Sequence, residues 1–412
     1  MPAAPIANSQ SETADPDHRA GSAAARRANE PALLDIRELD VRVGATPIVR
    51  GVSLHLDRGE RLALVGESGS GKTVTALSIL RLFEAADAVT RGEIRFEDED
   101  VLTMSLPQVR RLRGGRVGMI FQEPMTALNP LKTIGAQIAE VLVRHLGLRG
   151  DALHRRVREL LEQVRLPQPD RVMRAMPHQL SGGQRQRAMI AMAIACNPSL
   201  VIADEPTTAL DAGLRKTIMD LLVELQQRLG MSLLLITHDL PVVRRYADRV
   251  MVMRDGAIVE AGPTDAIFAR PKDSYTRTLL EARQVAPMIG PLKPDAEERL
   301  RCKGLGVTVG KRRWFGPDTR SQILKGIDLA LHAGQTLGVV GESGSGKTTL
   351  ALSLLKLVDG ADGAVWLAGR RVDGLRERQF RPFRRDLQVV FQDPYGALSP
   401  RMNIAQIVGE GL

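Results

Sequence analysis

From Leu33 onward, apolar and polar residues alternate through "LLDIRELDVRV" and again through "PIVRGVSLHL", which predicts short strands ahead of a turn at Arg58-Gly59-Glu60. "RLALV" is a largely apolar strand running straight into a glycine-rich loop, and "KTVTALSILRLF" behind it has helical periodicity. Charged helical patterns such as "LHRRVRELLEQV" then fill the chain from about Ser105 to His178, with loops expected around Pro167 to Asp170. "SLVIADEP" returns to a short buried strand, "KTIMDLLVELQQRLG" to a helix ending at Gly230, and "SLLLITHD" to another strand. Helices between buried strands predict a three-layer α/β core on a mostly parallel sheet, with the charged helical block as a separate lobe.

The pattern then begins again. "GVSLHLDRGERLALVGESGSGKT", which ends in Lys72 and Thr73, returns as "GIDLALHAGQTLGVVGESGSGKT", which ends in Lys347 and Thr348. "MIFQEPMTALNP" reappears as "VVFQDPYGALSP", with Gln392 in the place of Gln122. Between the copies, the proline-containing, weakly periodic "APMIGPLKPDAEE" reads as a linker. The expected organisation is a disordered tail over 1–30, a complete domain over 31–283, a linker over 284–298 and a partial second domain over 299–412.

Composition narrows this picture only a little. A 412-residue chain with 43% hydrophobic and 25% charged residues is long enough for at least two cores. A net charge of +9 suits nucleic acid or an anionic membrane surface equally well. No apolar run reaches the length of a membrane span, and the stretch from Met1 to Glu30 lacks the apolar core of a secretory signal. Cys196 and Cys302 lie far apart with no metal-ligand spacing, so both are expected to be reduced.

The chemistry is carried by the glycine loop. Gly66 to Thr73 reads Gly, four residues, Gly, Lys, Thr, between a predicted strand and a predicted helix. Glycines let backbone amides wrap phosphates, Lys72 reaches the terminal phosphates, and the Thr73 hydroxyl can hold magnesium. Gly66, Ser68, Gly69, Ser70, Gly71, Lys72, Thr73 and Val74 are therefore candidate ATP contacts. Gly341, Ser343, Gly344, Ser345, Gly346, Lys347, Thr348 and Thr349 are their counterparts in the second copy. Asp204 closes an apolar strand, where a carboxylate can hold magnesium, and Glu205 beside it is suited to polarising an attacking water.

"LSGGQRQR" at Leu180 to Arg187 resembles the signature of the ATP-binding cassette superfamily, and "FQEP", "LVIADEPTTALD" and "ITHDL" match its other motifs in order. The resemblance implies the fold class: a P-loop NTPase core with an antiparallel β edge and a helical lobe, complete from about Leu33 to Ala282 and partial in the second copy. It implies that Gln122 senses the γ-phosphate and joins Thr73 and Asp204 near magnesium, with Thr348 and Gln392 as counterparts. It makes Glu205 the catalytic base, Asp211 a link across a dimer of cassettes, and His238 a γ-phosphate contact. Ser181, Gly182, Gly183 and Gln184 would cap ATP bound on the opposite domain, which suits a helix N-terminus that binds anions. One departure stands out: the position where the family places an aromatic against adenine holds Val43, and Val309 in the second copy. Trp314 is a candidate replacement there.

In the first copy the signature Ser181 and the catalytic Glu205 lie far downstream of Lys72, and the same spacings counted from Lys347 run past Leu412. Neither composite site is therefore complete within this chain. A C-terminally truncated chain is the simpler expectation, with a natural short form as the alternative. The sequence resembles the fused double-domain ATP-binding subunits of bacterial dipeptide, oligopeptide and nickel importers, including the tail "VEAGPTDAIFARPKDSYTRTLLEA". That implies two transmembrane permeases, an indirect extracytoplasmic solute-binding protein, and a peripheral position on the cytoplasmic face of the inner membrane. A soluble cassette ATPase acting on nucleic acid or ribosomes is the competing reading. It is disfavoured because no coiled-coil insertion, zinc module or interdomain arm is found, so no nucleic-acid partner is expected. An inactive scaffold is disfavoured for the first copy by Lys72, Asp204, Glu205 and His238.

Overall fold

The computed structural model describes residues 31–83, 85, 87–208, 210–281, 296–309, 321–341, 344–391 and 397–410. They fall into two compact units divided between residues 286 and 287.

In the first unit, the alternating segments pair as antiparallel strands β1 (Leu34–Val43) and β2 (Thr46–Leu56), joined by β4 (Ala88–Phe96) and the short β5 (Glu99–Asp100) in the order β2-β1-β4-β5. A second sheet runs β10-β9-β3-β8-β7-β6. Its strands are β3 (Arg61–Val65), β6 (Val117–Ile120), β7 (Leu200–Asp204), β8 (Ser232–Thr237), β9 (Arg249–Arg254) and β10 (Ala257–Pro263). All neighbours are parallel except β10, which returns antiparallel along β9. β3 lies in its interior, hydrogen-bonded to β8 on one side and β9 on the other.

The period of two explains how one strand serves two cores. Leu62 and Leu64 pack toward the antiparallel sheet with Ile94, Phe96, Ile202 and Ile236. Ala63 and Val65 face the opposite way, onto Leu240, Val243, Ile267 and Tyr275. The third core joins Val201, Ala203, Leu233 and Leu235 to the helices of the charged block.

The helices of this unit are α1 (Lys72–Ile79), α2 (Leu106–Leu112), α3 (Pro124–Ala127), α4 (Ile134–Leu146), α5 (Gly150–Gln163), α6 (Pro169–Arg174), α7 (Gly182–Ala193), α8 (Ala212–Leu229), α9 (Leu240–Tyr246), α10 (Thr264–Ala269) and α11 (Ser274–Glu281). α8 stops where its sequence says it must, with Gly230 left-handed at φ 66° as its C-cap. Two boundaries differ from the sequence expectation. α1 ends at Ile79 rather than continuing to Phe83, because Arg81 turns left-handed and Arg113 donates from Nε to the Leu80 carbonyl at 2.7 Å and from its guanidinium to that of Arg81. That cap comes from 32 residues away and leaves no local trace. The loop expected through Asp170 is shorter, because Pro169 takes the first position of α6, where a missing N–H costs nothing.

The second unit repeats the antiparallel sheet. β11 (Glu298–Val309), β12 (Ser321–His332), β13 (Ala361–Leu367) and β14 (Arg370–Arg371) run in the order β12-β11-β13-β14. β11 takes in Glu298, the last residue of the expected linker. Among the described residues its α-helices are α12 (Lys347–Leu354), between β12 and β13, then α13 (Glu377–Phe380) and α14 (Ile404–Gly409). Its core gathers Cys302, Val307, Leu324, Val365 and Phe380. Among the described residues, this unit has no parallel strand pair, and no helix of either unit is long and apolar enough to cross a membrane.

Candidate active site

The phosphate loop bridges β3 and α1, and two of its glycines are demanded by close approach. A Cβ on Gly66 would sit 2.1 Å from the Met253 carbonyl oxygen, and one on Gly71, at φ 101°, would sit 2.9 Å from that of Ile48. Gly71 is the N-cap of α1, so the loop feeds directly into a helix N-terminus suited to anions. Lys72 is only 5% exposed. Its Nζ donates to the carbonyls of Gly66 (2.9 Å) and Glu67 (2.7 Å) and to Ser70 Oγ (3.3 Å), which arches the loop around the ammonium group. Burial pulls its pKa below the usual lysine value, opposed by the charges of Glu205, Asp204 and Glu67. Ser68, Gly69 and Thr73 are exposed on the loop, and Val74 is half-buried.

Three further segments converge opposite the loop. Asp204 ends β7, buried, and Thr73 donates from Oγ1 to its Oδ1 at 3.3 Å. Burial pushes the Asp204 carboxyl up to about 6, with Glu205 adding to the rise while Thr73 and Lys72 oppose it. The Thr73 hydroxyl and the Asp204 carboxylate bring together oxygen donors of the kind a hard divalent cation takes, and a cation there would offset the burial that disfavours Asp204's charge.

Glu205 follows in a left-handed conformation, φ 45°, its N–H held by the Ile236 carbonyl at 2.8 Å. A non-glycine residue in that region is strained, and here it turns the carboxylate out of the strand line. Oε2 accepts from Gln122 Nε2 (3.0 Å) and Thr208 Oγ1 (2.8 Å), while Oε1 lies 3.1 Å from His238 Nδ1. Three of the expected residues thus meet on one carboxylate. Thr208 is an addition to them, since nothing in "EPTTALD" distinguishes it from its neighbours.

The signature stands apart from this cluster. Ser181 caps α7, its Oγ accepting from Gln184 N–H (3.3 Å) and its own N–H donating to Gln184 Oε1 (3.0 Å), a reciprocal capping box. A Cβ on Gly182 would lie 4.0 Å from Leu210 Cδ2, and Gly183 lies against Leu214. Asp211 caps α8 through Leu214 N–H at 2.9 Å. No hydrogen bond among the described residues joins Ser181–Gln184 to the phosphate loop. Val43 ends β1, paired with Thr46 and Ala88.

In the second unit, Gly346 (φ 96°) caps α12 as Gly71 caps α1, and Lys347 Nζ donates to the Gly341 carbonyl at 2.8 Å. Gly344, Ser345 and Thr348 line the loop there, Thr349 lies in the first turn of α12, and Val309 ends β11. Ser343, Gln392 and Trp314 lie outside the described residues.

A loop that wraps phosphate, a strand-end Asp-Glu pair, and glutamine and histidine side chains meeting at the glutamate define a nucleotide-hydrolysing cassette. The ABC transporter family matches residues 49–208 and again 324–407, and the chain belongs to it. The peptidoglycan transport ATP-binding protein YejF of Agrobacterium fabrum is 47% identical over 400 residues, 94% of this chain and 72% of that protein. The glutathione import ATP-binding protein GsiA of Salmonella paratyphi A is 43% identical over 397 residues, 88% of this chain and 64% of that protein. Among solved structures, cbiO1 of Clostridium perfringens, part of the ABC transporter complex cbiONQ, superposes with a TM-score of 0.51 at 27% identity, covering 62% of this chain and 96% of its own. The dimeric cassette MJ0796 in a post-hydrolysis state with ADP and phosphate does so with a TM-score of 0.51 at 28% identity, covering 56% of this chain and 98% of its own. The chain is an ABC ATPase, and the mixed α/β cassette fold read from its sequence is the one found.

Proposed function

We propose that this chain is the ATP-hydrolysing subunit of an importer for small peptide-containing solutes. It works peripherally on the cytoplasmic face of a bacterial inner membrane, with two transmembrane permeases and, indirectly, an extracytoplasmic solute-binding protein. Kinship supports the direction of transport and the solute class, since the named relatives handle peptidoglycan and glutathione, both of which contain peptide linkages. The observation that carries the catalytic reading is the convergence of Gln122, Thr208 and His238 on the Glu205 carboxylate, across from Lys72 and Thr73.

In this reading Lys72 exchanges loop carbonyls for phosphate oxygens, and the loop amides at the start of α1 take the remaining charge. Glu205 accepts the proton of the attacking water, with Gln122 and His238 orienting the carboxylate and contacting the γ-phosphate. Thr73 and Asp204, with Gln122, would hold magnesium, whose positive charge would offset that of the phosphoryl oxygens. Ser181 and Gly183 face the phosphate loop of a second cassette, and Asp211 carries the contact between the two. Residues 31–283 act as the first cassette and 299–412 as part of a second, fused through 284–298. Closure of cassettes on ATP moves the permeases.

The test is purification from solubilised native membranes followed by mass spectrometry, together with uptake of a labelled tripeptide. Two polytopic permeases and ATP-dependent uptake that fails with Glu205→Gln are expected. Salt-sensitive RNA or DNA in place of permeases overturns the importer reading.

A further inference from the structure

The chain that follows the last strand of the first unit folds back onto the phosphate loop. Tyr275, in the first turn of α11 and 8% exposed, accepts the backbone N–H of Glu67 on its phenol oxygen at 3.1 Å. Burial pushes this phenol above its ordinary pKa, so it is neutral at physiological pH.

The tyrosine is itself firmly placed. Its own N–H donates to Asp273 Oδ1 at 2.8 Å, and the N–H groups of Lys272 and Asp273 donate to the two carboxylate oxygens of Glu260 in β10, at 2.8 and 3.1 Å. The Arg254 guanidinium, at the end of β9, lies 4.9 Å from the ring centroid. The same hairpin braces the loop elsewhere: Met253 packs where Gly66 has no side chain, and Gly256 N–H donates to the Ser70 carbonyl at 3.1 Å.

We propose that Tyr275 is a positioning residue for nucleotide binding, which fixes the entry of the phosphate loop through the Glu67 amide so that the amides from Ser68 to Thr73 are arranged for phosphate before ATP arrives. An amide bonded to the phenol is withheld from phosphate, so the cradle starts one residue later. The cost of ordering the loop is then met during folding rather than during binding, which raises affinity without touching the chemical step. The proposal rests on the assignment of Gly66–Thr73 as the ATP phosphate site.

Tyr275→Phe removes the hydroxyl and keeps the ring on Arg254. It is measured in the full chain carrying Lys347→Ala, so that the second loop does not contribute, with titration of a fluorescent ATP analogue, steady-state hydrolysis and a thermal melt. The expected result is a Kd and KM for ATP raised about three- to ten-fold, the scale of one net hydrogen bond, with kcat within about two-fold and the melt unchanged. Unchanged Kd and KM overturn the proposal, and if Lys72→Ala still weakens binding the loop assignment survives alone. Lys72→Ala without effect on binding overturns both. An earlier melt with affinity and kcat lost together makes Tyr275 a purely structural residue and likewise overturns its positioning role.

Discussion

Val65 and Val340 hold the same place in the two copies of a repeated sequence, yet Val65 is 1% exposed and Val340 is 92% exposed. Val65 ends β3, whose backbone is paired with Thr237 of β8 and Val252 of β9. The counterpart "TLGVV" is in no strand, and Val390, at the position matching buried Ile120, is 97% exposed. The antiparallel sheet and the helix after the loop behave differently: β12-β11-β13-β14 reproduces β2-β1-β4-β5, and α12 reproduces the eight residues of α1 with a left-handed glycine cap. The partners of those elements lie close by in the sequence and are present twice. The partners of β3 come from far downstream, beyond the helical lobe. A parallel strand is thus a property of its neighbours more than of its own residues.

The largest test of this asymmetry is Glu205→Gln. If Glu205 takes the proton of the attacking water, turnover at the first site should fall at least about 100-fold while ATP binding is retained, read by steady-state hydrolysis beside nucleotide titration. Residual hydrolysis near the normal rate would remove Glu205 from the role of base.

Next in size is the pair Lys72→Ala and Lys347→Ala. Lys72 lies beside the carboxylates and should cost turnover at least about ten-fold, clearly more than Lys347→Ala does. Equal losses would mean that both loops serve hydrolysis alike, and would break the comparison.

A packing test uses one chemistry at both places. Val65→Ala removes buried methyl groups from an interior strand and should cost about 2 kcal/mol in urea unfolding of the first unit. Val340→Ala, at an exposed position, should stay within about 0.5 kcal/mol. Similar costs would show that Val340 is covered in the working protein.

The smallest effect is expected from removing residues 299–412. The first unit has three cores of its own, and its melting temperature should move by less than about 2 °C. A larger fall would show that the second unit supports the first.

Much of the site was legible because its residues are tied to short spacings. Gly66, Gly71, Lys72 and Thr73 are fixed by one loop, and Asp204 with Glu205 by one strand end. The tail carried Tyr275 only as part of a family resemblance, because its partner, the Glu67 amide, is 208 residues away and backbone amides leave no mark in a sequence. Thr208 was hidden for the opposite reason: it lies close to Glu205 in the chain, but only the left-handed turn at Glu205 brings its hydroxyl to the carboxylate. Arg113, which stops α1 early, is another distant donor to backbone.

By itself, the sequence determined what local chemistry can specify: strand alternation, the end of α8 at Gly230, the phosphate loop, its repetition and the cassette family. Tertiary structure decided which apolar run became an interior strand, where Gln122, Thr208 and His238 met Glu205, and that the tail returned to the phosphate loop. The division has one physical cause. Periodicity and caps act within a few residues, whereas a parallel pairing, a backbone hydrogen bond or a shared carboxylate exists only after distant segments are brought together.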